Sequence, residues 1–343
     1  MRMRRDWMLL AGVAALAAVG AVRAAVLVNG AGATFPYPIY SKWFDEFHKL
    51  HPETQINYQS IGSGGGIRQV TDGTVDFGAT DGPMTDEQLA ATKTPVLHFP
   101  TVLGAVVPTF NLPNVDSLRF TAEALAGIYL GKITRWDDPA LAQANPGVNL
   151  PAQAIVPVHR SDGSGTTYVF TDYLSKVSPE WQAAAGKGTA VNWPVGLGGK
   201  GNEGVAGLVK QTPNAIGYVE LIYAVQTKLP IGSVRNRAGK FVEANLDSVT
   251  AAAAAAAANM PADFRVSITD APAADAYPIA SFTWLLVPSR IADAAKGQAI
   301  KEFVVWMLAD GQKMAPPLSY APLPQSVVAL ERQALDKVSV GNP

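Results

Sequence analysis

Hydrophobic positions along this chain change period again and again. After Pro36, the residues Ile39, Tyr40, Trp43, Phe44, Phe47 and Leu50 recur at intervals of three and four, which predicts an amphipathic helix directly behind the glycine-rich stretch 30–35. Residues 55–60 alternate as a strand, Gly62-Ser63-Gly64-Gly65-Gly66 breaks it, and a second helix starts over 67–70. A short apolar strand over 77–80 ends at Asp81, and Thr85 with Gln88 reads as a capping box opening a third helix. The order is that of an α/β protein.

A strand over 102–110 leaves this first lobe, and 121–130, 155–159 and 165–176 repeat the alternation. Further on come a glycine-rich stretch at 196–204, a helix over about 202–210, a strand at 216–219 and an alanine run at 251–258, read as a solvated helix. Long apolar segments at 279–287 and 300–308 follow with no linker before them, and so complete the first lobe. The expected division is 25–104 plus 275–343 for lobe one and 105–274 for lobe two.

Composition narrows the function. The 343 residues are 48% hydrophobic and 16% charged, enough for two ordinary domains with a sizeable core. With 27 basic against 28 acidic residues there is no basic surplus for nucleic acid or an anionic membrane, so any ligand is recognised locally. Arg2, Arg4 and Arg5 precede an apolar run from Trp7 to Val22, followed by Arg23 and Ala24. That is the pattern of a secretory signal peptide over 1–24, cleaved after Ala24, and it places the mature, mildly acidic protein in the periplasm. The absence of cysteine excludes disulfides, thiolate chemistry and a lipidated N-terminal cysteine.

Three segments carry candidate chemistry: Thr34-Phe35 at one helix start, Gly62-Ser63-Gly64-Gly65 at a second, and Arg160-Ser161-Asp162-Gly163-Ser164-Gly165-Thr166 at a third. Helix N-termini offer free N–H groups, glycines allow close approach, and hydroxyls add short donors, so each segment suits a tetrahedral oxyanion. Other motifs carry less. Gly196-Leu-Gly198-Gly-Lys-Gly201 fits a dinucleotide fingerprint but lies deep in an exported chain, and His48 with His51 lack the companions of a metal site. The alternative activity is a secreted phosphatase or serine hydrolase using Ser164 with His159, although Asp162-Gly163-Ser164-Gly165 lacks the first glycine of a nucleophile elbow. No cofactor and no metal are implied.

Gly30-Ala-Gly-Ala-Thr-Phe-Pro36, Gly62-Ser63, the stretch 75–81, Ile128-Tyr-Leu-Gly-Lys-Ile133, Arg160 to Thr166, Gly196 to Asn202 and the stretch 215–220 occur in this order. Together they resemble the phosphate-binding proteins of high-affinity bacterial ABC phosphate transporters. The resemblance implies a two-lobed flytrap fold with crossing hinge strands, a monomer without enzymatic activity, inorganic phosphate as ligand, and the membrane permease of an ABC phosphate transporter as partner. It also implies ligand contacts from Thr34, Phe35, Ser63, Asp81, Arg160, Ser164, Gly165 and Thr166, none of which departs from the family pattern, with Asp162 holding Arg160 in place by an ion pair. In that family reading Asp81 accepts a hydrogen bond from the protonated phosphate oxygen, whereas fully ionised sulfate meets an unpaired lone pair and a like charge.

Overall fold

The computed structural model describes residues 25–341, so the predicted signal peptide, 1–24, lies outside the described residues. Four strands open the chain: β1 (Val26–Gly32), β2 (Thr54–Ser60), β3 (Phe77–Thr80) and β4 (Val96–Phe110). β5 (Arg119–Phe120), β6 (Val156–Arg160), β7 (Leu197–Gly199), β8 (Ala215–Glu220), β9 (Ser233–Arg235), β10 (Phe241–Val242) and β11 (Ala280–Pro288) follow. β12 (Arg290–Ile291) and β13 (Ser339–Val340) form a small parallel pair near the end. Eight of them make one curled sheet in the order β2-β1-β3-β11-β4-β8-β6-β7, and β10-β9-β5 make a separate three-stranded sheet.

Burial follows the sequence pattern. β2, an edge strand, alternates exposed and half-buried positions after the buried Thr54, while β3, β8 and nearly all of β4 and β11 are buried on both faces and read as continuous apolar runs. β4 is the strand both halves of the sheet share. Its residues Val96–Ala105 pair antiparallel with β11, and Val106–Phe110 pair antiparallel with β8. At the change of partner the Val106 amide donates to the Ile279 carbonyl at 2.9 Å, so the chain returns beside the point where it left. The result is a two-lobed α/β fold with crossing strands between the lobes.

Helices cover the sheet where the 3.6-residue period predicts them. Helix Tyr37–Leu50 buries Ile39, Tyr40, Trp43, Phe44 and Phe47, but Leu50, the last member of the predicted stripe, is exposed at the helix end. Helix Asp86–Ala90 opens on the predicted capping box, with the Gln88 amide donating to Thr85 Oγ1 and the Thr85 amide to Gln88 Oε1. Two local expectations need correction. The glycine run does end the strand, but the second helix starts within it at Ser63, not at 67: Gly64 lies against Gly163 and Gly66 against Gly32 and Ala79, where a Cβ would sit 3.0 Å or less from backbone atoms. The alanine run belongs to helix Leu246–Ala258, which buries Val249, Ala252 and Ala253 and packs on β4 and β11, so it is solvated on one side only.

Candidate functional site

Parallel strands β1, β3 and β6 end close together, and helices Ser63–Asp72, Gly165–Val177 and Gly201–Gln211 begin there, the usual position of a ligand site in an α/β sheet. Asp81 is the residue after β3 and is buried. Thr283 on β11 donates from Oγ1 to Asp81 Oδ1 at 2.8 Å, and Ser63 Oγ lies 3.5 Å from Oδ2 while accepting from the Asp81 amide at 3.2 Å. Burial pushes the Asp81 carboxyl up to about 7, against the opposing pull of Thr283, the Arg160 charge and Ser63.

Arg160 ends β6 and is also buried. Its Nε and Nη2 donate to Asp162 Oδ1 and Oδ2 at 2.8 and 2.6 Å, a two-pronged pairing that fixes the guanidinium plane. Nη1 donates to Thr166 Oγ1 at 3.4 Å. Asp162 accepts the Gly201 amide as well, at 3.1 Å. Burial alone raises the Asp162 carboxyl, but the hydrogen bonds and charge of Arg160 outweigh it and hold the group below its ordinary range.

Ser164 caps helix Gly165–Val177 by accepting the Thr167 amide at 3.0 Å. Gly165 meets the opposite wall so closely that a Cβ there would lie 2.3 Å from both Asp81 Oδ2 and Ser63 Oγ. A backbone bond from Gly64 to the Gly163 carbonyl, 2.9 Å, joins the same two walls. Across them Thr34 Oγ1 accepts from Asn202 Nδ2 at 2.8 Å. The 34–35 loop is held from beneath, since Tyr223 donates to the Thr34 carbonyl and Tyr320 to the Phe35 carbonyl, each at 2.6 Å. The Phe35 ring packs against Gly104 in the core, leaving its main chain as its part nearest the site.

The structure therefore brings Thr34, Ser63, Asp81, Arg160, Ser164, Gly165 and Thr166 into one buried cluster, with the half-buried Asp162 and the Phe35 backbone at its margin. Sequence reasoning missed three members. Thr283 steadies Asp81, the Tyr218 hydroxyl accepts the Arg160 amide at 3.2 Å, and Asn202 bonds both Thr34 and Thr166. Asn202 had a signal, because a glycine-rich turn followed by a small polar residue at a helix start is what the other three segments share.

The hydrolase alternative finds no arrangement to support it. His159 Nδ1 lies 3.0 Å from the Arg160 carbonyl and its ring stacks on Trp193, while the Ser164 oxygen is engaged as a helix cap. Among the described residues no hydrogen bond joins His159 to Ser164. His48 and His51 diverge, one on the Thr54 carbonyl at 2.7 Å and the other stacked on Phe47. The Gly196–Gly201 stretch serves the cluster itself by presenting Gly201 and Asn202 to Asp162 and Thr34.

Comparisons with known proteins agree with this picture. The model of the PBP superfamily domain matches residues 19–310. The phosphate-binding protein PstS of Xylella fastidiosa strain Temecula1 is 47% identical over 305 residues, covering 88% of this chain and 83% of its own. PstS of Pasteurella multocida is 45% identical over 303 residues, covering 88% and 87%. Among solved structures, the periplasmic phosphate-binding protein PfluDING with bound phosphate superposes with a TM-score of 0.72 at 21% identity, covering 92% of this chain and 96% of that one. An ABC-type phosphate transport receptor from Vibrio cholerae gives 0.55 at 20% identity, covering 87% and 100%. With the two-lobed fold, the superfamily match over most of the chain and relatives of this closeness in hand, the chain belongs to the PstS family of phosphate-binding proteins within the PBP superfamily.

Proposed function

We propose that this protein binds one inorganic phosphate between its lobes and delivers it to the membrane permease of an ABC phosphate transporter. The observation that carries the reading is the pairing of two buried groups in one donor-rich cluster: Arg160, fixed by Asp162, and Asp81, the carboxyl beside it. Arg160 supplies a fixed positive charge in a planar fork. Thr34, Ser63, Ser164 and Thr166 supply hydroxyls, and the backbone at Phe35 and Gly165 supplies uncharged donors. Asp81 is the acceptor for the one proton that phosphate keeps near neutral pH and sulfate lacks.

The lobes of this reading are 25–104 plus 275–343 and 105–274, hinged where β4 changes partner and the chain re-enters beside it. The protein works as a monomer in the periplasm after removal of residues 1–24. The kinship with PstS proteins and the likeness to the ABC-type phosphate transport receptor of Vibrio cholerae support the transport role, and the phosphate bound to PfluDING supports the ligand.

Calorimetric titration of the phosphate-stripped mature protein tests the reading. One-to-one binding with a dissociation constant on the order of micromolar or tighter is expected, because five heavy atoms at about −1.5 kcal/mol each set that scale. Sulfate should give negligible heat. Absence of phosphate binding, or turnover of a chromogenic phosphate ester, would overturn the proposal.

A further inference from the structure

Thr34 and Thr166 stand on opposite sides of the cluster, yet each presents its hydroxyl oxygen to the same side chain. Asn202 Nδ2 donates to Thr34 Oγ1 at 2.8 Å and to Thr166 Oγ1 at 3.1 Å. The second lone pair of each oxygen is used too. Thr34 Oγ1 also accepts the Asn202 amide at 3.3 Å, and Thr166 Oγ1 also accepts Arg160 Nη1 at 3.4 Å. The carboxamide has a defined orientation, because its Oδ1 accepts the Glu220 amide at 2.9 Å, which leaves Nδ2 toward the threonines. Asn202, Thr34 and Thr166 are all buried, so bulk water does not compete for these groups.

A threonine hydroxyl has two acceptor lone pairs and one donor hydrogen. When both lone pairs are filled by N–H donors, the only bond left for it to make is as a donor. We propose that Asn202 is a positioning residue that locks the Thr34 and Thr166 hydroxyls as donors toward the bound anion. This rests on the phosphate reading of the site. Its consequence is a division of labour inside the cluster: two corners accept only an unprotonated ligand oxygen, and the ligand's single proton is directed to Asp81. An anion with further hydroxyl hydrogens would place one against a donor, at the cost of an unmade hydrogen bond.

A double-mutant cycle read by phosphate titration tests the assignment. The four proteins are the wild type, Asn202→Ala, Thr34→Val/Thr166→Val, and the triple variant, with ligand-free melting curves to establish that each is folded. In the wild-type background Asn202→Ala should weaken phosphate binding at least about tenfold. In the valine background, where no hydroxyl remains to orient, it should weaken binding by less than about twofold. Equal losses in both backgrounds would show that Asn202 acts through general packing and would overturn the proposal. Asn202→Asp gives an independent reading and replaces the alanine variant if that one does not fold. It keeps the acceptor for the Glu220 amide but turns the donor into an acceptor, so it should capture the threonine protons and cost at least about a hundredfold. Retained affinity in Asn202→Asp would equally overturn the proposal. Failure of the wild type to bind phosphate would remove the functional reading itself, whereas the other outcomes bear on Asn202 alone.

Discussion

Replacing Asp81 by asparagine removes a buried ionisable group from the cluster and leaves its shape unchanged. The Thr283 bond survives, since an amide oxygen accepts it as a carboxylate does. Burial moves the Asp81 carboxyl from an ordinary 3.8 to about 7 in the folded protein. At about 1.4 kcal/mol per pH unit, that interval corresponds to about 4 kcal/mol. Its sign follows from proton counts. Between about pH 4 and about pH 7 the folded chain holds a proton that the unfolded chain has released, so this contribution falls as pH rises and then levels off. His98 works in the opposite direction. Burial holds its imidazole down near 4, so the unfolded chain binds the extra proton there and stability rises with pH. The two contributions mask one another in the wild type, and the difference between wild type and Asp81→Asn isolates the carboxylate. Urea unfolding of both proteins, phosphate-free, from about pH 4 to about pH 8 should show the variant gaining about 4 kcal/mol on the wild type, nearly all of it below about pH 7. A difference that stays constant across that range would refute the claim that Asp81 is desolvated in the ligand-free protein.

The same substitution should change selectivity. Because a site built around a ligand hydroxyl rejects its analogue by about 10⁴–10⁵, competition binding should show Asp81→Asn admitting sulfate far more readily, and unchanged exclusion of sulfate would contradict the proton-acceptor role. Gly165→Ala should reduce phosphate affinity by at least about a hundredfold and also lower the melting temperature of the ligand-free protein, since its methyl would occupy the space of the buried Asp81 Oδ2 and Ser63 Oγ. Glu331 is buried in helix Gln325–Ala334, neither carboxylate oxygen has a hydrogen-bond partner among the described residues, and burial pushes its pKa well up. Glu331→Leu should therefore stabilise the protein by roughly 1–3 kcal/mol at about pH 8, measured by urea unfolding, with the gain shrinking as pH falls and the wild-type carboxyl takes up its proton.

The family resemblance named the members of the cluster, and their neighbourhoods were legible because they sit at the ends of short, strongly patterned elements. Asp81 closes the apolar run of β3, Arg160 ends β6, and Ser164 caps a helix, so periodicity and capping rules find their neighbourhoods without tertiary information. The second helix was expected to start only at 67 because glycines at 64–66 have poor helix propensity, and the close approach of Gly163, Gly32 and Ala79 accounts for their place in it. Thr283 was missed because it joins the cluster only through Asp81, about 200 residues away, and no local pattern encodes such a distance, whereas Asn202 carried the local signal of a glycine-rich turn at a helix start. The alanine helix looked solvated because alanine carries no polarity of its own to distinguish a packed face from an open one.

In the sheet order, β11 lies between β3 and β4 although it comes nearly two hundred residues after both. The first lobe is thus unfinished in the middle, with a gap in its hydrogen-bonded ladder, until residue 288 has left the ribosome. A chain emerging from its N-terminus has no way to complete that lobe early, and the long-range pairing that closes it is slow by nature. For a chain made from its N-terminus, this wiring delays closure of the first lobe until most of the sequence is present. It also ties the fate of both lobes to one late strand, so that damage to β11 should cost the whole molecule its structure rather than one half.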